Sequence, residues 1–296
     1  MAALALACVS IAIWSSLALL NSRVNALPPF LAVGVALCVG GLAGLVRARE
    51  WRVGAKTLAV GIGGIFGYHA MLFAAFRMAP AVEVNLINYL WPLLIVMLSP
   101  VFLRGFRLGP RHVAGALLGL SGAALIVSGG GLGLRAVFIP GYLLAAAAAL
   151  VWASYSLLTK RLPPFPTGAV GAFCLVSGIL SLALYGLERL AAPGMAAPAL
   201  GGRDWLFLVL LGFGPMGGAF YAWDAALKRG DPRVIGSLSY LTPLLSTLNL
   251  VAFGGKRLSL GSGIAMSLIV AGAVVGSFDV LRAAWSAARR RPGRAA

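Results

Sequence analysis

The 296-residue chain is 60% hydrophobic and only 10% charged, whereas a water-soluble domain carries about 25% charged residues. That leaves too little polar surface to cover a water-facing globule, so its solvent is mostly lipid. The net charge of +17 does not read as a nucleic-acid footprint, because the Lys and Arg residues fall between apolar runs rather than along one basic face.

A helix needs about 20 mostly apolar residues to cross a bilayer. Apolar runs between charged or Pro/Gly breaks predict ten spans, over 2–21, 29–46, 57–76, 82–103, 112–129, 139–159, 166–187, 205–226, 234–253 and 262–281. The first holds Cys8 and Trp14. With no basic residue before it and no clear cleavage site, it is expected to stay as a first helix rather than be removed as a signal peptide. Leu27-Pro28-Pro29-Phe30 precedes the second, which holds Cys38. The third carries Tyr68 and His69, and the fourth Asn85, Asn88, Tyr89, Trp91 and Pro92. After the fifth, Gly129-Gly130-Gly131 with Gly133 reads as a link; no GK[ST] follows to make it a phosphate loop. Trp152 and Tyr155 lie in the sixth span, and Leu162-Pro163-Pro164-Phe165 leads into the seventh, with Cys174. Tyr221 and Asp224 fall in the eighth, and Ser239, Tyr240 and Pro243 in the ninth. A basic tail follows the tenth. The three cysteines sit singly in apolar runs, so neither a disulfide framework nor a zinc site is expected, and no other metal or cofactor is indicated.

The halves echo each other. A Trp, an LPPF and a Cys recur in order, and Tyr89-Leu90-Trp91-Pro92-Leu93-Leu94 returns as Tyr240-Leu241-Thr242-Pro243-Leu244-Leu245. The predicted division is 1–133 and 134–281, with 282–296 as the tail. Five spans per half is an odd number, so the second half enters the membrane from the opposite side. That gives an inverted repeat, an arrangement that lets a central site open to either face. With the N-terminus inside, 17 basic residues fall on inner loops and the tail against 7 on outer loops, which places both termini in the cytoplasm.

Polar groups in a span should face the bundle interior. Asn85, Asn88, Tyr89 and Pro92 share one helical face, and Gly236, Ser239, Tyr240 and Pro243 share the matching face of the ninth span. Each proline removes a bond to the carbonyl four residues back, which would free those of Asn88 and Ser239. Pro92 and Pro243 thus read as hinges or as plain kinks. His69 is a candidate to bind a substrate carboxylate, to relay a proton, or to be satisfied by a neighbouring helix. Trp14, Tyr68, Tyr89, Trp91, Trp152 and Tyr155 could line a pocket suited to an aromatic side chain or an ammonium; packing is the alternative. Glycines at four-residue spacing, Gly40/Gly44, Gly63/Gly67, Gly115/Gly119, Gly214/Gly218 and Gly272/Gly276, are expected at close helix contacts. Neither the two histidines nor the seven acids cluster, so an intramembrane enzyme is not supported.

Tyr221-Ala222-Trp223-Asp224-Ala225-Ala226-Leu227 with Pro232 and Pro243, and Phe73-Ala74-Ala75-Phe76 with Pro92, resemble the paired signatures of EamA-type members of the drug/metabolite transporter superfamily. Arg107 and Arg257 stand in loops where that pattern has a Glu. Tyr68-His69 and Tyr89-Leu90-Trp91-Pro92 are similar to the YddG type of aromatic amino acid exporter. The resemblance implies export of Phe, Tyr, Trp and other neutral amino acids or analogues from a bacterial cytoplasm through the inner membrane, by alternating access. The site residues expected on this basis are Trp14, Tyr68, His69, Asn85, Asn88, Tyr89, Trp91, Trp152, Tyr155, Tyr221, Ser239 and Tyr240. The expected partners are a small-molecule substrate and membrane lipid. Export of another metabolite or drug is the first alternative, with an intramembrane enzyme or a passive channel behind it, and energy coupling and oligomeric state stay open.

Overall fold

Proline starts and stops many of the helices. Pro28 holds an extended backbone (φ −55°, ψ 131°) and Pro29 opens the next helix; a ring-fixed φ suits the first helical position, where the missing N–H is not needed. Pro110 and Pro232 open helices in the same way. In the computed structural model, residues 2–128, 135–192, 198–254 and 260–289 are described. They hold ten helices long and apolar enough to cross a membrane: Ala2–Asn21, Pro29–Trp51, Ala55–Met78, Ala81–Phe102, Pro110–Ser128, Ala136–Arg161, Thr167–Ala191, Gly202–Arg229, Pro232–Phe253 and Leu260–Phe278. These are called spans 1 to 10. No strand occurs among the described residues. The predicted glycine link and the last residues of the tail lie outside them.

The packing obeys a twofold exchange. Span 2 packs on span 7, span 4 on span 9 and span 5 on span 10, while span 3 packs on span 6 as span 1 packs on span 8. Exchanging spans 1–5 with 6–10 maps this set onto itself. The LPPF repeat shows the same relation in side chains. Phe30 lies beneath the Arg77 guanidinium, 5.5 Å from its centroid. Phe165 lies beneath Lys228 Nζ at 3.5 Å. Each basic residue stands near the end of the corresponding helix, span 3 or span 8, on opposite faces of the bundle.

Lipid is as apolar as leucine, so helices associate here through close packing rather than water exclusion. Spans 5 and 10 meet at glycine. A Cβ added to Gly115 would stand 2.5 Å from the Gly276 nitrogen, and one on Gly272 2.6 Å from the Gly115 carbonyl oxygen. The Gly63/Gly67 expectation is corrected. Gly63 has nothing within 4 Å, and it is Gly61 and Gly64 that receive the rings of Phe173 and Tyr155.

Candidate functional site

Span 8 is broken midway. Gly214-Pro215-Met216-Gly217-Gly218 forms a π-helical turn, a widening typical of functional sites. A proline without an N–H and three glycines make the wider turn cheap. The Pro215 carbonyl is left facing span 1, where it accepts a hydrogen bond from Trp14 Nε1 at 3.0 Å.

Trp14 thereby anchors an aromatic floor. Its ring packs edge-on against Trp91 at 6.1 Å, Trp152 at 5.8 Å and Phe220 at 6.1 Å, and tilts onto Trp223 at 5.1 Å. Trp91 meets Trp152 at 6.4 Å and Trp223 at 5.6 Å. Trp223 is locked by its Nε1–H, which donates to Ser156 Oγ at 3.1 Å. Each edge-to-face contact adds about 0.5–1.5 kcal/mol beyond area burial, so the floor is stiff.

Above it lies a cavity of about 560 Å³. Its wall carries His69, Tyr68 and Phe73 from span 3, Asn85, Asn88 and Tyr89 from span 4, and Thr242 and Ser246 from span 9. Asn21, Ser22 and Asn25, exposed where span 1 ends, form a rim. No Asp, Glu, Lys or Arg lines the cavity among the described residues. His69 Nδ1 lies 2.7 Å from the Ile65 carbonyl. A carbonyl only accepts, so Nδ1 carries the proton and Nε2 of the neutral ring is an acceptor. Asn88 Nδ2 donates to Tyr68 Oη at 3.1 Å. Asn88 Oδ1 and Thr242 Oγ1 are buried without a protein partner, the condition that a ligand or water normally relieves.

Trp14, Tyr68, His69, Asn85, Asn88, Tyr89, Trp91 and Trp152 all line this cavity. The other four expected residues, Tyr155, Tyr221, Ser239 and Tyr240, do not line it. Tyr155 lies behind Trp152, tilted against it at 5.4 Å, and is seated on Gly64. The Tyr221 hydroxyl donates to the Gly40 carbonyl at 3.2 Å, wedged between Gly44 of span 2 and Gly171 of span 7. Ser239 Oγ donates to the Ile235 carbonyl at 2.8 Å within its own helix. Tyr240 is fully buried and turned toward span 4. Phe220 and the span 8 break were not foreseen. The repeat held a signal for Phe220: with Tyr89 matched to Tyr240, its counterpart is His69.

The opposite face is shut by ions and backbone caps. Lys228 Nζ pairs with Asp224 Oδ2 at 2.6 Å and donates to the Phe165 carbonyl at 3.0 Å. Asp224 Oδ2 also accepts from Thr167 Oγ1 at 2.7 Å. Lys160 Nζ caps the end of span 8 through the carbonyls of Leu227 at 2.8 Å and Gly230 at 2.7 Å. Glu50 accepts from the Gly168 N–H at 2.9 Å, and Arg233 joins the Arg107 carbonyl to Asp231.

This ten-helix frame with a cavity open at the end of span 1 agrees with what comparison with known proteins finds. The pattern of the EamA-like transporter family matches residues 1–128 and again 139–278. The chain belongs to the EamA-like transporter family. It is 44% identical over 275 residues, 90% of this chain and 93% of the other, to the aromatic amino acid exporter YddG of Ancylobacter novellus. The protein of that name in Escherichia coli is 29% identical over 56% of this chain and 57% of its own. A solved crystal structure, 42% identical, superposes with a TM-score of 0.87 over 95% of this chain and 98% of its own. This EamA-like protein is thus a multi-pass membrane transporter built from two repeats.

Proposed function

We propose that this transporter exports aromatic and other neutral amino acids, or close analogues, by alternating access. The observation that carries the reading is the cavity. An uncharged chamber with a tryptophan floor and amide and hydroxyl walls suits a zwitterion with a flat apolar side chain. Stacking holds the ring and the tryptophan faces attract the ammonium. Asn88 Oδ1 and His69 Nε2 supply acceptors, and the Tyr68 and Tyr89 hydroxyls supply donors. The relatives' names point the same way. We take 1–133 and 134–281 as the two working halves. The excess of basic residues on one set of loops argues for cytoplasmic termini in a bacterial inner membrane. The cavity then opens outward, and the Lys228–Asp224 face is cytoplasmic.

Flux of labelled tryptophan from proteoliposomes tests this. Saturable flux is expected, falling at least about tenfold in W152A, since losing a buried stacking surface costs more than about 1.4 kcal/mol. A ligand of the folded state should also raise the melting point of the purified protein. Equal flux with and without protein, across aromatic and aliphatic amino acids, would overturn the proposal.

A further inference from the structure

Tyr240 belongs to the second repeat but completes a helix of the first. Span 4 consists of two helices, Ala81–Asn88 and Leu90–Phe102, which part at Tyr89. In an unbroken helix the Leu93 N–H would donate to the Tyr89 carbonyl four residues back. Here Leu93 N–H donates to Tyr240 Oη at 3.1 Å. The same hydroxyl donates to the Tyr89 carbonyl at 3.2 Å. One hydroxyl thus commits its proton and a lone pair to one broken turn, the insertion that accompanies a sharp helix kink. The ring that delivers it is fully buried and rests on Gly119 of span 5, where a Cβ would stand 2.4 Å from Tyr240 Cδ2.

The expectation that Pro92 frees the Asn88 carbonyl therefore located the kink but not its closure. The matched break in span 9 lies between Pro232–Ser239 and Leu241–Gly254, at Tyr240 itself. The YLWPLL and YLTPLL repeats carry Tyr240 onto Tyr89 and Leu93 onto Leu244. The counterpart of the bridged turn is thus the Leu244 N–H and the Tyr240 carbonyl. Its counterpart hydroxyl is Tyr89 Oη, and Tyr89 lines the open cavity instead. The two repeats are equivalent in sequence here and unlike in state.

An axis in the membrane plane interchanges the two faces, so exchanging the conformations of the repeats turns the cavity to the other side. We infer that Tyr240 and Tyr89 are alternating latches. Tyr240 bridges the span 4 break while the cavity opens to the face seen here. Tyr89 bridges the span 9 break when it opens to the opposite face. Opening and closing then exchange one bridged turn for another, so neither state carries an extra unpaired backbone group into the bilayer centre. The inference rests on the alternating-access reading but not on the identity of the substrate.

Cysteine accessibility in purified, ligand-free protein tests it, with Cys8, Cys38 and Cys174 replaced. S246C reports the open face, because Ser246 lines the cavity. I95C reports the opposite face, because Ile95 is the repeat counterpart of Ser246 and is fully buried. Y240F keeps the ring and removes the latch. It should raise maleimide labelling at I95C and lower it at S246C, with the ratio moving about fivefold, as losing about 1 kcal/mol of net hydrogen bonding implies. Y89F should move the ratio the other way, and it is spared any folding defect in this state because its hydroxyl bridges nothing here. Shifts of the same sign in both variants, or ratios unchanged within about twofold, overturn the latches. Tryptophan flux separates the failures. Flux with unmoved ratios sinks the latches alone, whereas no flux in the parent sinks the exporter reading while the ligand-free ratios still judge the latches.

Discussion

Replacing Lys228 with Met isolates the charge that holds the closed face together. The Asp224 side chain is 1% exposed and that of Lys228 22%. Asp224 Oδ2 has Lys228 Nζ at 2.6 Å and Thr167 Oγ1 at 2.7 Å, and Oδ1 has no partner. K228M keeps the stem against Phe165 and deletes the ammonium, which leaves one hydrogen bond on a buried carboxylate. Breaking a buried pair from one side costs about 3–5 kcal/mol; partial exposure of the lysine puts this case near about 3 kcal/mol. D224N alone should cost about 1–2 kcal/mol, since Asn still accepts from Thr167 and Lys228 keeps the Phe165 carbonyl. D224N/K228M removes both charges and should also cost about 1–2 kcal/mol. The cycle thus carries a coupling of about 3 kcal/mol, within about 2–4 kcal/mol, between the two sites. Reversible unfolding in mixed micelles, on all four proteins, measures it. A K228M protein within about 1 kcal/mol of the parent, or an additive cycle, would refute the argument that this pair closes the face.

Two further outcomes follow from other contacts. G115A should lower the unfolding free energy by about 1–3 kcal/mol, because its methyl meets Gly276 and Gly272 backbone that cannot rotate away. G63A, with open space around it, should be neutral or slightly stabilising, and thermal denaturation compares the pair directly. Asp231 lies between spans 8 and 9. Burial opposes its ionisation, but the Arg233 guanidinium and backbone N–H, with His112 nearby, hold its carboxyl below the ordinary value of 3.8. A depressed carboxylate stabilises the fold above its ordinary value, and the contribution disappears as pH falls through the lowered one. The melting point of the parent should therefore drop, as pH falls below the ordinary value of about 3.8, more steeply than that of D231N, and parallel curves would contradict the assignment.

The ten spans were legible because lipid imposes a one-dimensional rule. A run of about 20 apolar residues suffices, and Pro and Gly punctuate it. Inversion was legible from parity, once LPPF and the YL-x-PLL repeat showed two halves of five spans. Eight cavity residues could be named because polar and aromatic groups in a lipid-embedded helix turn inward. Turning inward does not say which interior surface a residue meets, however. Tyr155, Tyr221 and Ser239 share that rule with Trp152, yet they pack against Gly64, the Gly40 carbonyl and their own helix. The Gly63/Gly67 pair failed for the same reason: four-residue spacing gives a face but not its neighbour.

The sequence by itself determined the solvent, the number of helices, the twofold relation between halves and the pool of groups able to form a site. Those follow from composition and repetition, which act along the chain. Only the tertiary structure decided which face is open, how span 8 unwinds to present the Pro215 carbonyl, and that the Tyr240 hydroxyl bridges span 4 while Tyr89 does not. Two equal repeats cannot specify which of them holds which conformation. That asymmetry arises only when side chains of one half meet the backbone of the other.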